Sequence, residues 1–173
     1  MAVSADINVA LTLMETVAND LGTASQPHRI DYPGTLKNGK YASGTASNQQ
    51  DLVWSDQRTL VATSEQLYLV GVLTAAIGGA ALTFVEVRGI AIVNRSTAAA
   101  EKLLVGGGAN PAFAGLFAAT GDIIKVPASG IFLWTAPLDG GGLVPVATTG
   151  DMLTVDAGAD TITYDIAIWG ASA

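Results

Sequence analysis

The chain has 173 residues, a formal net charge of −7, 13% charged residues and 50% hydrophobic residues. This length fits a single domain with its own core, and the absence of cysteine excludes thiol catalysis and cysteine-ligated metal sites. The single histidine, His28, lies in the turn-like sequence Gln26-Pro27-His28-Arg29 and cannot complete a two-histidine zinc site. We therefore predict a protein that is not an enzyme, without catalytic, cofactor-binding or metal-binding residues.

The N-terminal segment, residues 1–29, has two possible interpretations. Ile7, Leu11 and Met14 are spaced as on one face of a helix from Ser4 to Gly22, whereas Ile7, Val9 and Leu11 also alternate as in a strand. The sequence favours a helix only slightly, so this segment is predicted as a short helix or an arm. The acidic Asp6 and the lack of basic residues before it argue against a cleavable secretion signal.

Residues 30–173 are predicted to form a β-sandwich or jelly-roll domain. Short runs rich in Val, Ile and Thr alternate with Gly, Pro, Asn and Asp clusters, which is typical of strands joined by turns. The predicted strands are Ile30–Tyr32, Leu36–Ser43, Arg58–Thr63, Leu67–Leu73, Ala81–Asn94, Lys102–Val105, Ile123–Val126, Ile131–Trp134, Met152–Val155 and Thr161–Trp169.

Two of these strands show a division into faces. In the last strand, Ile162, Tyr164, Ile166 and Ile168 are predicted to face the core, with the alternate residues in water. In Ala81–Asn94, the Val residues alternate with Glu86 and Arg88, which indicates an apolar and a polar face, although Ile90 and Ile92 share the face of the charged pair.

One apolar run reaches the length of a membrane helix, since Leu67–Val85 contains 19 residues without a charge. Glycines at 71, 78 and 79 interrupt it, and strict alternation continues through Thr83–Arg88. Two strands around a small-residue turn explain this run better, and no membrane partner is expected. No nucleic-acid partner is expected either, because the eight basic residues are scattered singly.

The connections between strands carry several weak motifs. Asn38-Gly39 is a two-residue hairpin signal, and the Gly34–Lys40 segment resembles a phosphate-binding loop but lacks the Ser or Thr that should follow the lysine. The Tyr41–Gln50 segment has no large aliphatic residue and is predicted to be an extended loop or arm over a neighbouring surface. Asn94-Arg95-Ser96 is a formal glycosylation sequon, interpreted as a turn at a strand end.

Two further groups of residues have alternative interpretations. Asp151, Asp156 and Asp160 could offer oxygen ligands to a cation, but Asp next to Gly is also common in turns. The tryptophans Trp54, Trp134 and Trp169 are interpreted as core or subunit-contact residues, with a sugar-binding platform as the alternative. A pair of acids acting as a glycoside hydrolase is the least favoured hypothesis.

Three segments of the chain resemble a known family. They are the Gly44–Leu60 segment with Asn48-Gln49-Gln50-Asp51, the Leu67–Phe84 segment with Gly71-Val72-Leu73-Thr74, and the C-terminal part from Thr148 through Tyr164-Asp165-Ile166-Ala167-Ile168-Trp169 to Ser172. Together they are similar to small structural proteins of tailed bacteriophages, of the kind that decorate or cement the capsid. The resemblance covers residues 30–173.

The resemblance implies a non-enzymatic virion protein on the capsid surface, made in the cytoplasm of a host bacterium. Its expected partners are further copies of itself, in a dimer or trimer, and the major capsid protein or other virion proteins. A tail, baseplate or fibre component, with a host-glycan-binding role, is the alternative. The low charge and the abundance of Ala, Gly and Thr also suit a protein whose surfaces meet partner subunits.

Overall fold

The computed structural model describes residues 5–6, 11–19, 22–30, 40–74, 80–107, 113–117, 119, 121–138, 140–148 and 150–173, and up to residue 40 it describes the backbone alone. Its fifteen strands and one short 3₁₀ helix are as follows. They are β1 Ala5–Asp6, β2 Leu11–Asn19, β3 Gly22–Ile30, β4 Lys40–Ser43, β5 Gln49–Gln50, β6 Leu52–Val61, β7 Ser64–Tyr68, β8 Val70–Thr74, β9 Ala81–Thr83, β10 Glu86–Asn94, β11 Lys102–Gly106, the 3₁₀ helix Ala114–Leu116, β12 Ile123–Pro127, β13 Ile131–Thr135, β14 Met152–Asp156 and β15 Thr161–Ala171.

Two four-stranded antiparallel sheets form the body, with strand orders β13-β10-β15-β6 and β12-β11-β14-β7. Apolar side chains of both sheets form one core, which includes Ile90 and Ile168 of the first sheet and Leu103 and Val155 of the second. The prediction of a mainly β fold is therefore confirmed, and the architecture is sandwich-like.

The predicted core face of β15 is also confirmed, since Ile162, Tyr164, Ile166 and Ile168 are at most 2% exposed. The alternate face is less open to water than predicted: Thr161 is exposed, but Thr163, Asp165 and Ala167 are half-buried. The uncharged run that reaches the length of a membrane helix contains the end of β7 and the antiparallel pair β8 and β9. In the part of the chain that the structure describes, no helix is long and apolar enough to span a membrane.

The prediction of an N-terminal helix is wrong over Leu11–Asn19, because these residues form β2 and pair with β3 in an antiparallel hairpin. The strand alternative, based on alternation at Leu11 and Leu13, was therefore the better interpretation there. The turn predicted around His28 is wrong as well, since His28 lies within β3 opposite Leu13. The Asn38-Gly39 hairpin and residues 34–39 of the glycine-containing motif lie outside the described residues.

The polar face predicted for β10 is wrong, since Glu86 is 6% exposed and Arg88 is fully buried. Both side chains are buried because other segments cover them: Arg88 bonds three carbonyls of residues 45–49, and Glu86 bonds the Gly142 amide. β10 also has a register shift between Val87 and Gly89 where it pairs with β15. Such a bulge places one extra residue in a strand and breaks its strict alternation. As a result Val87 and Ile90, three positions apart, both belong to the core.

Candidate functional site

The connections of the two-sheet body differ sharply between its two ends. At one end, which we call the short-turn end, residues 62–63, 95–101, 128–130 and 157–160 join strands directly. At the other, which we call the long-loop end, lie the connections β7 to β10, β11 to β12 and β13 to β14, together with the segment preceding β6. Since loops placed by a rigid scaffold are the usual location of binding surfaces, the long-loop end is the candidate functional site.

A buried ion pair organises the long-loop end. The Arg88 guanidinium lies 2.7 Å from the Glu86 carboxylate, and these side chains are 0% and 7% exposed. Arg88 also donates to the backbone carbonyls of Thr45, Ala46 and Gln49 at 2.6–2.7 Å. Burying a charge is costly unless it is paired and hydrogen-bonded, and this cage of acceptors meets that requirement.

The same ion pair reaches a second loop. The other oxygen of the Glu86 carboxylate accepts a hydrogen bond from the Gly142 amide at 2.6 Å. A Cβ at Gly142 would lie 2.5 Å from the Glu86 side chain, so only glycine allows this approach without a shift. The pair Glu86 and Arg88 thus holds two connections, at residues 45–49 and at Gly142, against the start of β10.

The segment Tyr41–Gln50 is therefore not the extended arm that its composition predicts. The segment folds back on itself: the Ala42 amide donates to the Asn48 carbonyl, and the Gly44 amide donates to the Gln50 carbonyl. Tyr41 and Gln50 are at most 1% exposed. This segment is a compact loop on the body of the molecule, held by Arg88.

An aromatic pair supports this loop from the outer side of the first sheet. The Tyr41 and Trp169 rings meet edge to face, with their centroids 6.2 Å apart. Trp169 lies against Gly89, its partner on β10, where a Cβ would come within 2.0 Å of the indole ring. Gly89 therefore provides the space that the indole ring occupies.

Exposed apolar side chains concentrate at the long-loop end. Of nine large apolar residues that are well exposed in the described part of the chain, five lie in its connections. These are Val72, Val85, Leu138, Val144 and Val146, which are 44–65% exposed. Clusters of exposed apolar residues mark interaction surfaces more often than isolated ones do.

A polar cluster closes the open edge of the sandwich between β6 and β7. Arg58 donates to Asp56 and Glu65, and the buried Tyr164 hydroxyl donates to Glu65. Burial and the bond to Glu65 raise the pKa of Tyr164 far above its ordinary value. The pKa of Arg58 is also raised, because the acidic neighbours outweigh its partial burial. These contacts join the two sheets and are structural.

Each sheet carries a groove on its outer face. The groove on the first sheet has a volume of about 410 Å³ and passes over the small side chains of Ser55, Ala91 and Ala167. The groove on the second sheet has about 350 Å³ and is more polar, with Gln66, Thr154 and Asp156 among its lining residues.

The interpretation of the tryptophans as core residues is confirmed for Trp54 and Trp169. Trp54 is 8% exposed in the main core, and Trp169 is 4% exposed against Tyr41. Trp54 thus presents no open ring face to a sugar. Trp134 is half-buried and packs against the core from β13.

The three aspartates near the C-terminus do not converge. Asp151 immediately precedes β14 and Asp156 is its last residue, and the Asp156 carboxylate accepts the Gly158 amide in a turn. Among the described residues, no three His, Asp or Glu side chains are placed to hold a metal ion.

The formal sequon is also structural. Asn94 is fully buried, its amide nitrogen donates to the Val126 carbonyl, and its oxygen accepts the Ser96 amide. This agrees with the interpretation of a turn at a strand end.

The residues that sequence reasoning missed are Glu86 and Arg88. No signal along the strand could have found their burial, because the groups that cover them come from residues 45–49 and Gly142. A comparison with known protein families, curated proteins and solved structures found no match to this chain.

Proposed function

We propose that this chain is a non-enzymatic structural protein of a phage virion, of the capsid decoration or cement kind, with a jelly-roll body. Its long-loop end contacts the major capsid protein or another virion protein. The order of strand pairing supports this proposal. Among the eight strands of the two main sheets, the first pairs with the eighth, the second with the seventh, the third with the sixth and the fourth with the fifth.

This nested pairing is what results when one long antiparallel ribbon is rolled into two facing sheets. The rolled ribbon gains two further pairings, β10 with β15 and β11 with β14, and both are present. Double-sheet jelly rolls are the architecture of many viral capsid proteins as well as of some lectins. The architecture alone therefore does not decide the function, and the resemblance of residues 30–173 to phage proteins favours the virion role.

The surface of the long-loop end supports a protein partner over a small substrate. Five exposed apolar side chains project from its connections, whereas its charged pair, Glu86 and Arg88, is turned inward. Protein interfaces are depleted in charge at their centres, and this end has that composition.

Cryo-electron microscopy of the particle tests the proposal. Particles assembled without this chain are compared with the same particles after the purified chain has been added back. We expect extra density at capsid symmetry axes, with the long-loop end toward the lattice. Density at the tail tip alone would overturn the decoration role in favour of a tail component, and no density would overturn the virion role itself.

The glycan-binding alternative is favoured by one observation, the polar groove of the second sheet, where hydroxyl, amide and carboxylate groups meet. A glycan array with the wild type and Gln66→Ala decides this point. Binding that is lost in Gln66→Ala would support a lectin-like role on a fibre, and no binding at high protein concentration would remove it. Trp134→Ala is the control for the platform hypothesis.

A further inference from the structure

The four edge strands of the two main sheets are not equally protected against pairing with another chain. β6 carries Asp56 and Arg58, β7 carries Glu65, and β12 carries Lys125 and Pro127. Charged residues and prolines on edge strands are the usual means by which proteins prevent unwanted strand addition. The fourth edge strand, β13, has the sequence Ile-Phe-Leu-Trp-Thr and carries neither.

The backbone of β13 is oriented for pairing at its open side. The Gly130 carbonyl accepts the Asn94 amide at 3.0 Å and the Ala136 amide donates to the Arg88 carbonyl at 2.8 Å, so the even-numbered residues bond toward β10. In an antiparallel ladder the alternate residues point their amides and carbonyls the other way. Ile131 and Leu133 therefore turn these groups toward the open edge, and Ile131 is 67% exposed.

We propose that β13 is a dimerisation strand, to which β13 of a second copy of this chain adds in antiparallel orientation about a two-fold axis. The axis passes through Leu133, the middle residue of β13, so that Phe132 lies opposite Trp134 of the other copy. Aromatic cross-strand pairs are among the more stabilising ones in sheets.

A second copy fits this edge better than a charged partner does. The chain has a net charge of −7, so two copies repel wherever their charged surfaces meet. β13 contains no charge, and its two half-buried aromatic side chains would become further buried on pairing. An isologous contact also needs only one self-complementary surface. The two four-stranded sheets would join into one sheet across the dimer.

This inference rests on the proposed function only for its expectation of an oligomer, and it is tested on the purified chain without any particle. Because the sequence has no cysteine, Leu133→Cys introduces a single thiol on the proposed axis. Hydrogen-bonded partners in an antiparallel ladder have Cα atoms about 5.5 Å apart, which is within the range that a disulfide spans. We expect a disulfide-linked dimer under mild oxidation.

The matched control is Val61→Cys, since Val61 is 65% exposed on β6, the opposite edge of the same sheet. Equal cross-linking of the two variants would overturn the proposal. Sedimentation equilibrium supplies a second measurement. Ile131→Lys should raise the dissociation constant of the dimer at least tenfold, whereas Val61→Lys should leave it unchanged.

A monomeric wild type would overturn the proposal, and so would a trimer, because a two-fold contact gives even numbers. Circular dichroism of Ile131→Lys verifies that the fold is retained. If the chain dimerises through β13 but is missing from the particle, only the virion role fails. If it decorates the particle as a monomer, only the β13 contact fails.

Discussion

The two ends of the two-sheet body each contain an arginine–acid pair, but in opposite environments. At the short-turn end, Arg95 pairs with Asp165 at the surface, with side chains 56% and 28% exposed. At the long-loop end, Arg88 pairs with Glu86, with side chains 0% and 7% exposed. The first pair lies on the surface beside a turn whose conformation the neighbouring strands already fix. The second pair is buried and holds long connections in place.

This contrast indicates how a low-charge chain can shape a contact surface. Short turns are fixed by their own length, but long connections need internal bonds to adopt one conformation. Arg88 supplies these bonds to three carbonyls of residues 45–49 while leaving apolar side chains outside. Both charges of this pair are buried, and the exposed side chains of these connections include five large apolar ones, where the proposed partner would bind.

The largest expected effect is that of Arg88→Met, which leaves Glu86 buried without its partner. Breaking a buried pair in this way costs about 3–5 kcal/mol of unfolding free energy. Arg95→Gln is the control and should cost about 0–1 kcal/mol, since exposed pairs contribute little. Urea unfolding measures both. Equal losses would show that the two ends do not differ as described.

Removing both charges sharpens the same comparison. The double variant Glu86→Gln, Arg88→Met leaves no unpaired charge and should lose less stability than Arg88→Met alone. In both variants, limited proteolysis should cut within residues 44–50 before it cuts the body. If this loop stays as protected as in the wild type, Arg88 is not what holds it.

Alkaline pH tests the cluster that closes the edge between β6 and β7. Because the pKa of Tyr164 is raised in the folded state, the unfolded state releases this proton first as the pH rises. The stabilisation is complete below about pH 10 and falls above it by up to about 1.4 kcal/mol per pH unit. Tyr164→Phe should remove this contribution to the pH dependence. Tyr68→Phe, which changes a hydroxyl bonded to Gln66 at the surface, should not.

Substitutions at the exposed apolar surface should separate binding from stability. Val144→Asp and Val146→Asp change side chains that are 65% and 55% exposed, so their unfolding free energies should stay within about 0.5 kcal/mol of the wild type. Co-sedimentation with particles should nevertheless weaken at least tenfold. Val61→Asp, at the short-turn end, is the matched control and should bind normally. The reverse pattern would assign the contact to the other end.

The smallest expected effect is at Asp165. Hydrogen bonds from Arg95 and Gln57 hold the pKa of its carboxyl below the ordinary value. The pair therefore stabilises the fold above about pH 3.9, and this contribution is lost as the pH falls through the folded-state pKa. Asp165→Asn should flatten the acid limb of the stability profile slightly. Because the pair is exposed, a large effect would contradict its assignment as a surface pair.

Local sequence patterns predicted most of the strands, because short runs rich in Val, Ile and Thr are bounded by turn residues. The positions of β11, β12, β13 and β14 differ from the predicted ones by a single residue at most. The N-terminal segment was harder, since helical and strand periodicities both fit Ile7 to Leu13. In the structure, Leu11–Asn19 forms a strand because it pairs with Gly22–Ile30 in an antiparallel hairpin.

Alternation could not predict the candidate site. It placed Glu86 and Arg88 in water, because alternation along one strand does not show that residues 45–49 and Gly142 cover these side chains. The bulge at Val87–Gly89 explains a second difference, that Ile90 faces the core together with Val87. Nor could composition predict that residues 45–49 present carbonyls to a guanidinium, since these are backbone groups that every residue type has.

The sequence by itself determined that this chain is β-rich, which residues of β15 face the core, and that thiol chemistry is excluded. These properties depend on residue types and on spacing along one strand. Only the tertiary structure decided which strands are edges, which end carries the long connections, and that Arg88 is buried. Those properties depend on contacts between residues far apart in the chain, which the spacing of residues within one strand does not determine.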